Sequence, residues 1–222
     1  MAYTSAMSSV PTASSILWYF ADPMCSWCWG FSPVIETLRE AYRERLKIAL
    51  MLGGLRPGTT APMTLQQRDE ILHHWRDVQA MTGQAFSFEG ALPPGFVYDT
   101  EPASRAVVTV GAIDPAATFA YFKSVQQAFY AEQRDVTRPA ELAALARQQG
   151  VDADDFLARF ESDEMKRRTQ QHFLHTRQAG VRGFPALIVS DASGPTRLSD
   201  GCRPLQEVRS ALDAWLDSRG AE

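Results

Sequence analysis

The strand signal in this chain stops after residue 52 and does not return until residue 184. Whatever lies between must be housed without adding a strand, and that restricts the fold more than any other feature. Residues 16–21, "ILWYFA", are β-branched and aromatic and read as a buried strand. A helix is expected to begin at or next to Cys25, with Val34, Ile35, Leu38, Tyr42 and Leu46 at helical spacing and a kink at Pro33. Residues 47–52, "KIALML", read as a second strand. Strand, helix and strand in that order imply a right-handed crossover and a parallel pair.

Past "GGLRPGTTAP" the pattern turns helical. Thr64 with Gln67 resembles a capping box for a helix reaching about Gly83, and the Gly/Pro-rich loop "FEGALPPGFVYD" follows. Further helical segments are expected near 102–112, 115–132, 138–149, 153–160 and 163–179, with starts at Pro115 and Pro139 and stops at Gly150 and Gly180. "FPALIVS" at 184–190 is the next strand, "DASGP" a hairpin turn and "TRLSD" its return. Leu205, Val208, Leu212, Trp215 and Leu216 mark one face of a last helix. The expected organisation is a flexible tail at 1–14, an α/β unit in two halves at 15–62 and 180–222, and an all-helical insertion at 63–179.

A length of 222 residues is ample for a buried core. The net charge of −4 gives no clustered basic face for nucleic acid. No apolar run reaches the roughly 18–20 residues of a membrane span. The first fifteen residues are small and polar, with neither a basic nor an apolar signal region, and the reading is of a cytoplasmic protein.

Three cysteines, Cys25, Cys28 and Cys202, make a poor disulfide framework. A zinc site needs about four ligands. Cys202 is a lone third; His73 and His74 point about 100° apart on a helix. His172 and His175 are spaced for a metal pair but read as surface histidines, and no metal is expected. A structural disulfide between Cys25 and Cys28 would close a tiny loop and stabilise little. A redox pair explains more. At a helix start Cys25 would face unsatisfied N–H groups and the positive end of the helix dipole, which favour a thiolate. Cys28, one turn on, can resolve a mixed disulfide formed on Cys25. Cys25 is therefore the expected nucleophile and Cys28 the expected resolving thiol.

"DPMCSWCWGFSP", with Pro33 five residues past Cys28, together with "VRGFPALIV" far downstream, resembles the thioredoxin fold. The helical insertion resembles the DsbA branch, and "DPMCSWCWGF", "GGLRPG" and "GVRGFPALIV" are similar to the cytoplasmic DsbA-like, FrnE-type disulfide isomerases over residues 16–218. The resemblance implies a thioredoxin domain split by a helical insertion, with Phe184 preceding a cis Pro185 beside the cysteines. The backbone of residue 184 would pair with an extended substrate. It also implies thiol–disulfide exchange with proteins or small thiols, no bound cofactor, and glutathione or another thiol as redox partner. The dipeptide between the cysteines is Ser26-Trp27, without the histidine of the periplasmic oxidases, which points to a more reducing or isomerase-like poise. Ser26 and Trp27 are expected to tune or contact the substrate, Met24 to line the groove, and Trp29 to be core. Cys202 reads as a half-buried thiol, with a third redox-active thiol as the sharper alternative. "GGLRPG" reads first as a structural loop, with Arg56 able to meet an anionic substrate; Arg167, Arg168 and Arg182 read as solvated charges. Two other functions compete: a glutathione-dependent isomerase or transferase of the kappa or 2-hydroxychromene-2-carboxylate type, which needs no resolving thiol, and a non-enzymatic peptide-binding module.

Overall fold

The computed structural model describes residues 15–220; the expected tail at 1–14 lies outside them. Strand β1 (Ile16–Ala21), helix α1 (Ser26–Tyr42) and strand β2 (Lys47–Leu52) come first. Six α-helices follow: α2 (Leu65–Thr82), α3 (Glu101–Ile113), α4 (Thr118–Tyr130), α5 (Pro139–Gln148), α6 (Ala153–Phe160) and α7 (Asp163–Gln178), with a 3-10 turn at Pro115–Ala117 leading into α4. Strands β3 (Ala186–Asp191) and β4 (Gly194–Asp200) and helix α8 (Leu205–Gly220) close the chain. The sheet order is β2-β1-β3-β4, with β1 parallel to β2 and antiparallel to β3, and β4 antiparallel to β3. The mixed α/β architecture and the parallel first pair match the expectation. The hairpin is tighter than expected. Asp191, Gly194 and Pro195 belong to the strands rather than the turn, and Pro195 is tolerated because β4 is an edge strand.

β1 is central and buried on both faces. Leu17, Tyr19 and Ala21 enter the main core with α1, α8 and the helical block, while Phe20 joins Val181, Ala186 and Ile188 in a smaller cluster. On α1, Ile35, Leu38 and Tyr42 are buried, whereas Val34 is only half-buried and Leu46 lies beyond the helix end. Gly30 marks the closest approach of α1 and α2, since a Cβ there would stand 2.7 Å from Val78 Cγ1.

Helix α1 runs through Pro33. A proline inside a helix removes the N–H that would bond the carbonyl four residues earlier. Here that carbonyl belongs to Trp29, and the Gln84 side chain supplies the missing donor through Nε2 (3.0 Å), while also donating to Ser32 Oγ (2.6 Å). The capping box of α2 is present, with Thr64 Oγ1 accepting from Gln67 N–H and Gln67 Oε1 accepting from Thr64 N–H; Gly83 ends the helix in the left-handed conformation.

α7 covers the outer edge of β2. The Leu52 N–H donates to His172 Nδ1 (3.2 Å) and Thr176 Oγ1 donates to the Leu52 carbonyl (3.0 Å). His172 is therefore not the surface histidine the sequence suggested. Burial, and then the neighbouring His175, lower its pKa to about 4, which keeps Nδ1 free to accept at neutral pH.

Removing the Gln84 donor should cost about 1–3 kcal/mol, because it strands a buried carbonyl and a buried hydroxyl. In a Pro33→Ala background the restored N–H takes over the Trp29 carbonyl, so Gln84→Ala should cost measurably less there. Urea unfolding of the four proteins of this cycle measures the difference; equal losses in both backgrounds would contradict the assignment.

Candidate active site

Past β1 the chain turns over Asp22 to Cys25, with Cys25 N–H donating to the Asp22 carbonyl (3.1 Å). The turn makes Cys25 the N-cap of α1 (φ −95°, ψ 117°) and puts Cys28 in its first turn. No side chain caps this helix and no carboxylate lies in its first turn, so its N–H groups and positive dipole end face Cys25 uncompensated.

Both cysteines are free thiols, and their sulfurs lie within hydrogen-bonding reach of each other. They are not equivalent. Cys25 keeps a 5% exposed edge, whereas Cys28 is fully buried. Burial above all, then the hydrogen bond with Cys25, pushes the Cys28 thiol well above its ordinary range. The Cys25 thiol donates to the Phe184 carbonyl (3.7 Å), and the Phe184–Pro185 peptide is cis. The Gly201 N–H donates to the Pro185 carbonyl (2.8 Å), tying the end of β4 to this loop. Cys202 is half-buried next door. Burial and then the charge of Cys25 push its thiol up.

Three elements of this site escaped the sequence reading. The first is Asp22, fully buried, whose carboxylate accepts from Met24 N–H (2.8 Å) and from Leu55 N–H (2.7 Å). Burial outweighs those bonds and raises its pKa to about 6, beside Cys28. The second is Tyr19, whose buried hydroxyl has no oxygen or nitrogen partner and has the Cys28 sulfur beside it. The third is Gly53. A Cβ there would fall 1.9 Å from Phe184 Cζ, so the ring lies in the space a side chain would fill. Gly54 (φ +69°) faces the Phe173 ring of α7, where a Cβ would fall 2.8 Å from Cδ1. "GGLRPG" is thus a structural loop in the sense that it houses two rings. An acid directly after a buried strand, and paired glycines at a strand end, were the available signals.

A groove of about 210 Å³ opens beside Cys25. Met24, Ser26 and half-buried Trp27 border it from the cysteine turn, and Phe184 from the cis-proline loop. Leu55 and Arg56 come from the loop after β2, Ile71, His74 and Trp75 from α2, and Tyr98 from the loop before α3. Trp29 is core, stacked on Tyr130 with Nε1 donating to the Ala85 carbonyl. Two larger cavities, of about 430 and 350 Å³, are lined by neither cysteine and lie away from this chemistry. Among the described residues no group of three or more His, Cys, Asp or Glu stands together as metal ligands need to. Arg167, Arg168 and Arg182 are exposed; Arg168 pairs with Glu164.

Comparison with known proteins bears on this geometry. A family model described as a DSBA-like thioredoxin domain matches residues 16–213. The crystal structure of a proposed protein disulfide isomerase from Nitrosomonas europaea superposes with a TM-score of 0.88 at 46% identity, covering 92% of this chain and 98% of that one. The cytosolic disulfide reductase DsbM from Pseudomonas aeruginosa superposes with a TM-score of 0.77 at 25% identity, covering 91% and 98%, and its structure with glutathione gives 0.76. The ClpXP adapter protein SpxH of Halalkalibacterium halodurans is 20% identical over 176 residues. This chain spans little more than half the length of such curated relatives, 57% in that case.

Enlarging Gly53 tests the packing that holds the Phe184 carbonyl against Cys25. Gly53→Val should lower disulfide-exchange activity at least tenfold while the protein stays folded by circular dichroism. Adding Phe184→Ala should restore part of the folding stability lost to the clash. Full activity in Gly53→Val would show that the ring position is immaterial.

Proposed function

The chain belongs to the DSBA-like thioredoxin domain family and is a disulfide oxidoreductase, and from that premise we propose that it works through Cys25 as attacking thiol and Cys28 as resolving thiol. The observation that carries this is the asymmetry of the pair, with one sulfur at a groove and a helix N-terminus and the other sealed beneath it. The Cys25 thiolate attacks one sulfur of a substrate disulfide, forming a Cys25 mixed disulfide and expelling the other sulfur as thiolate. Cys28 then attacks the Cys25 sulfur, releasing the second substrate thiolate and leaving a Cys25–Cys28 disulfide. The substrate gains two electrons and the pair loses two.

Cys28 is a buried thiol and must lose its proton to attack. Asp22 is the buried carboxylate beside it and takes that proton, passing it on to the departing thiolate. Phe184 and the cis Pro185 border the approach to Cys25, and the 184 backbone offers an extended substrate a strand-like partner. Ser26, Trp27 and Met24 shape the groove. We read residues 63–179 as an insertion that completes the groove, the cytoplasm as the compartment, and glutathione as the thiol that returns the pair to its reduced form. DsbM, whose structure contains glutathione, supports that last reading.

The likeness to two ClpXP adapter proteins favours one second reading, in which the groove captures a peptide without exchange. A Cys25/Cys28→Ser double variant separates the two. Undiminished effect on client proteins would favour binding, and complete loss would favour exchange.

Cys25→Ser should abolish insulin reduction, and Cys28→Ser should accumulate a mixed disulfide visible by mass spectrometry. Full activity in Cys25→Ser would refute the mechanism. The resolving step should slow as pH falls through about 6, because Asp22 is then protonated and cannot accept from Cys28. Asp22→Asn should remove that inflection and slow resolution about a hundredfold, within the usual range for a lost general base. Capture by Cys25 should continue at its normal rate. Rapid-quench analysis of the mixed disulfide reads both steps, and unchanged resolution would exclude Asp22 as the base.

A further inference from the structure

The groove beside Cys25 is lined by a cation, Arg56, and an imidazole, His74, and by no carboxylate. Arg56 and His74 are both exposed. The carboxylates of Asp22 and Asp99 are engaged by backbone donors. Both Asp22 oxygens accept backbone N–H groups, and Asp99 Oδ1 accepts from Gly58 N–H (2.8 Å) and Glu101 N–H (3.0 Å). Among the described residues the Arg56 guanidinium has no carboxylate within 4.0 Å.

Arg56 is nevertheless firmly placed. Its N–H donates to Thr100 Oγ1 (3.0 Å), and its carbonyl accepts from Thr59 Oγ1 (3.0 Å) and from Thr100 N–H (3.4 Å). Its guanidinium carbon lies 5.4 Å from the centre of the Tyr98 ring. The Tyr98 hydroxyl in turn donates to the Met24 carbonyl (2.6 Å), one residue before Cys25. A continuous set of contacts thus fixes a free cation relative to the reactive sulfur. A guanidinium stacked on an aromatic face and pinned through its backbone has lost much of the freedom that binding an anion would otherwise remove.

From this we infer that Arg56 makes the groove selective for small thiols and mixed disulfides that carry a carboxylate, with His74 as a second donor on α2. The inference rests on Cys25 being the exchanging thiol, as proposed above. The volume suits such a ligand. At about 210 Å³ the groove lies below the usual range of about 300–1,000 Å³ for enclosed ligand sites, and fits a cysteine-sized moiety with its carboxylates at the rim. The reaction served is reduction of the oxidised pair. One thiolate attacks the Cys25 sulfur, the Cys25–Cys28 bond breaks, and Cys28 leaves as thiolate and takes up a proton. A second thiolate then attacks the sulfur of the bound thiol, releasing a symmetrical disulfide and the Cys25 thiolate. Two thiols are oxidised for each protein disulfide reduced. Arg56 acts on the mixed disulfide and on its approach, where a carboxylate is present to be held.

The test uses the oxidised full-length protein and follows its reduction by tryptophan fluorescence, since Trp27 and Trp29 flank Cys28. Rate constants are measured with glutathione, which carries carboxylates, and with 2-mercaptoethanol, which carries none. Each variant is compared with the unmodified protein for the same thiol. Arg56→Gln should slow reduction by glutathione about tenfold and by 2-mercaptoethanol less than twofold. Arg56→Lys should recover part of the glutathione rate, and high salt should narrow the gap between Arg56→Gln and the unmodified protein. His74→Gln should show a smaller loss of the same selectivity. Equal loss with both thiols, or an unchanged glutathione rate, would overturn the assignment. Failure of the unmodified protein to react with 2-mercaptoethanol would instead strike at Cys25 as the exchanging thiol.

Discussion

One buried carboxylate joins the parts of this site. Asp22 holds the Met24 N–H on one oxygen and the Leu55 N–H on the other, so the turn that presents Cys25 and the loop that presents Arg56 share an anchor. The anchor is costly. A carboxyl raised from 3.8 to about 6 by burial favours its neutral form in the folded protein. Relative to acid pH, where the neutral form is fully present below pH 3.8, stability is lost as pH rises through about 6, a loss of about 3 kcal/mol by neutral pH. An asparagine or a serine could meet part of the same backbone need without that penalty. What neither could do is accept a proton from the thiol next to it, and that is the physical reason to connect this residue with Cys28.

A second layer of constraint comes from aromatic rings packed against glycine. Phe184 fills the space over Gly53 and Phe173 the space over Gly54, so the cis-proline loop, the end of β2 and helix α7 meet at two positions where no side chain fits. His172 and Thr176 extend the contact by satisfying Leu52. The carbonyl that receives the Cys25 thiol is thereby located by packing from a helix some 120 residues away from Leu52 in sequence, as the separation of the Leu52–His172 bond records. Small shifts there would move the acceptor relative to the sulfur.

The local features of this fold were legible because they are written in neighbouring residues. A run of β-branched and aromatic side chains gave β1, the Thr64–Gln67 box gave the start of α2, and Gly83, Gly150 and Gly180 gave stops. The Cys25–Cys28 spacing, with a proline before a distant apolar strand, pointed to the site. Periodicity misled on α1, where mid-helix Val34 is only half-buried and Leu46 packs from the connection to β2. What stayed hidden depends on partners remote in sequence. Nothing near Pro33 announces that Gln84 will mend its missing hydrogen bond, and nothing near His172 announces that it will lie against Leu52. Gly53 and Gly54 looked like turn formers, because the rings that need their emptiness lie more than a hundred residues downstream. Asp22 looked like the end of an apolar run.

The length of the chain follows from the groove rather than from exchange chemistry. The α/β unit alone supplies both cysteines, the Phe184 carbonyl and the loop carrying Arg56. It supplies only one border of the groove. Ile71, His74 and Trp75 come from α2, and Tyr98 from the loop before α3. Those residues are themselves held by an aromatic cluster in which Trp75 packs on Tyr130 (5.0 Å) and Tyr98 on Phe129 (5.6 Å), rings contributed by α4. On the proposed mechanism the thiol pair decides what bond is exchanged, while the helices before β3 build the surface that meets whatever is attached to it. Changes within those helices should therefore alter which disulfides react without altering how they react.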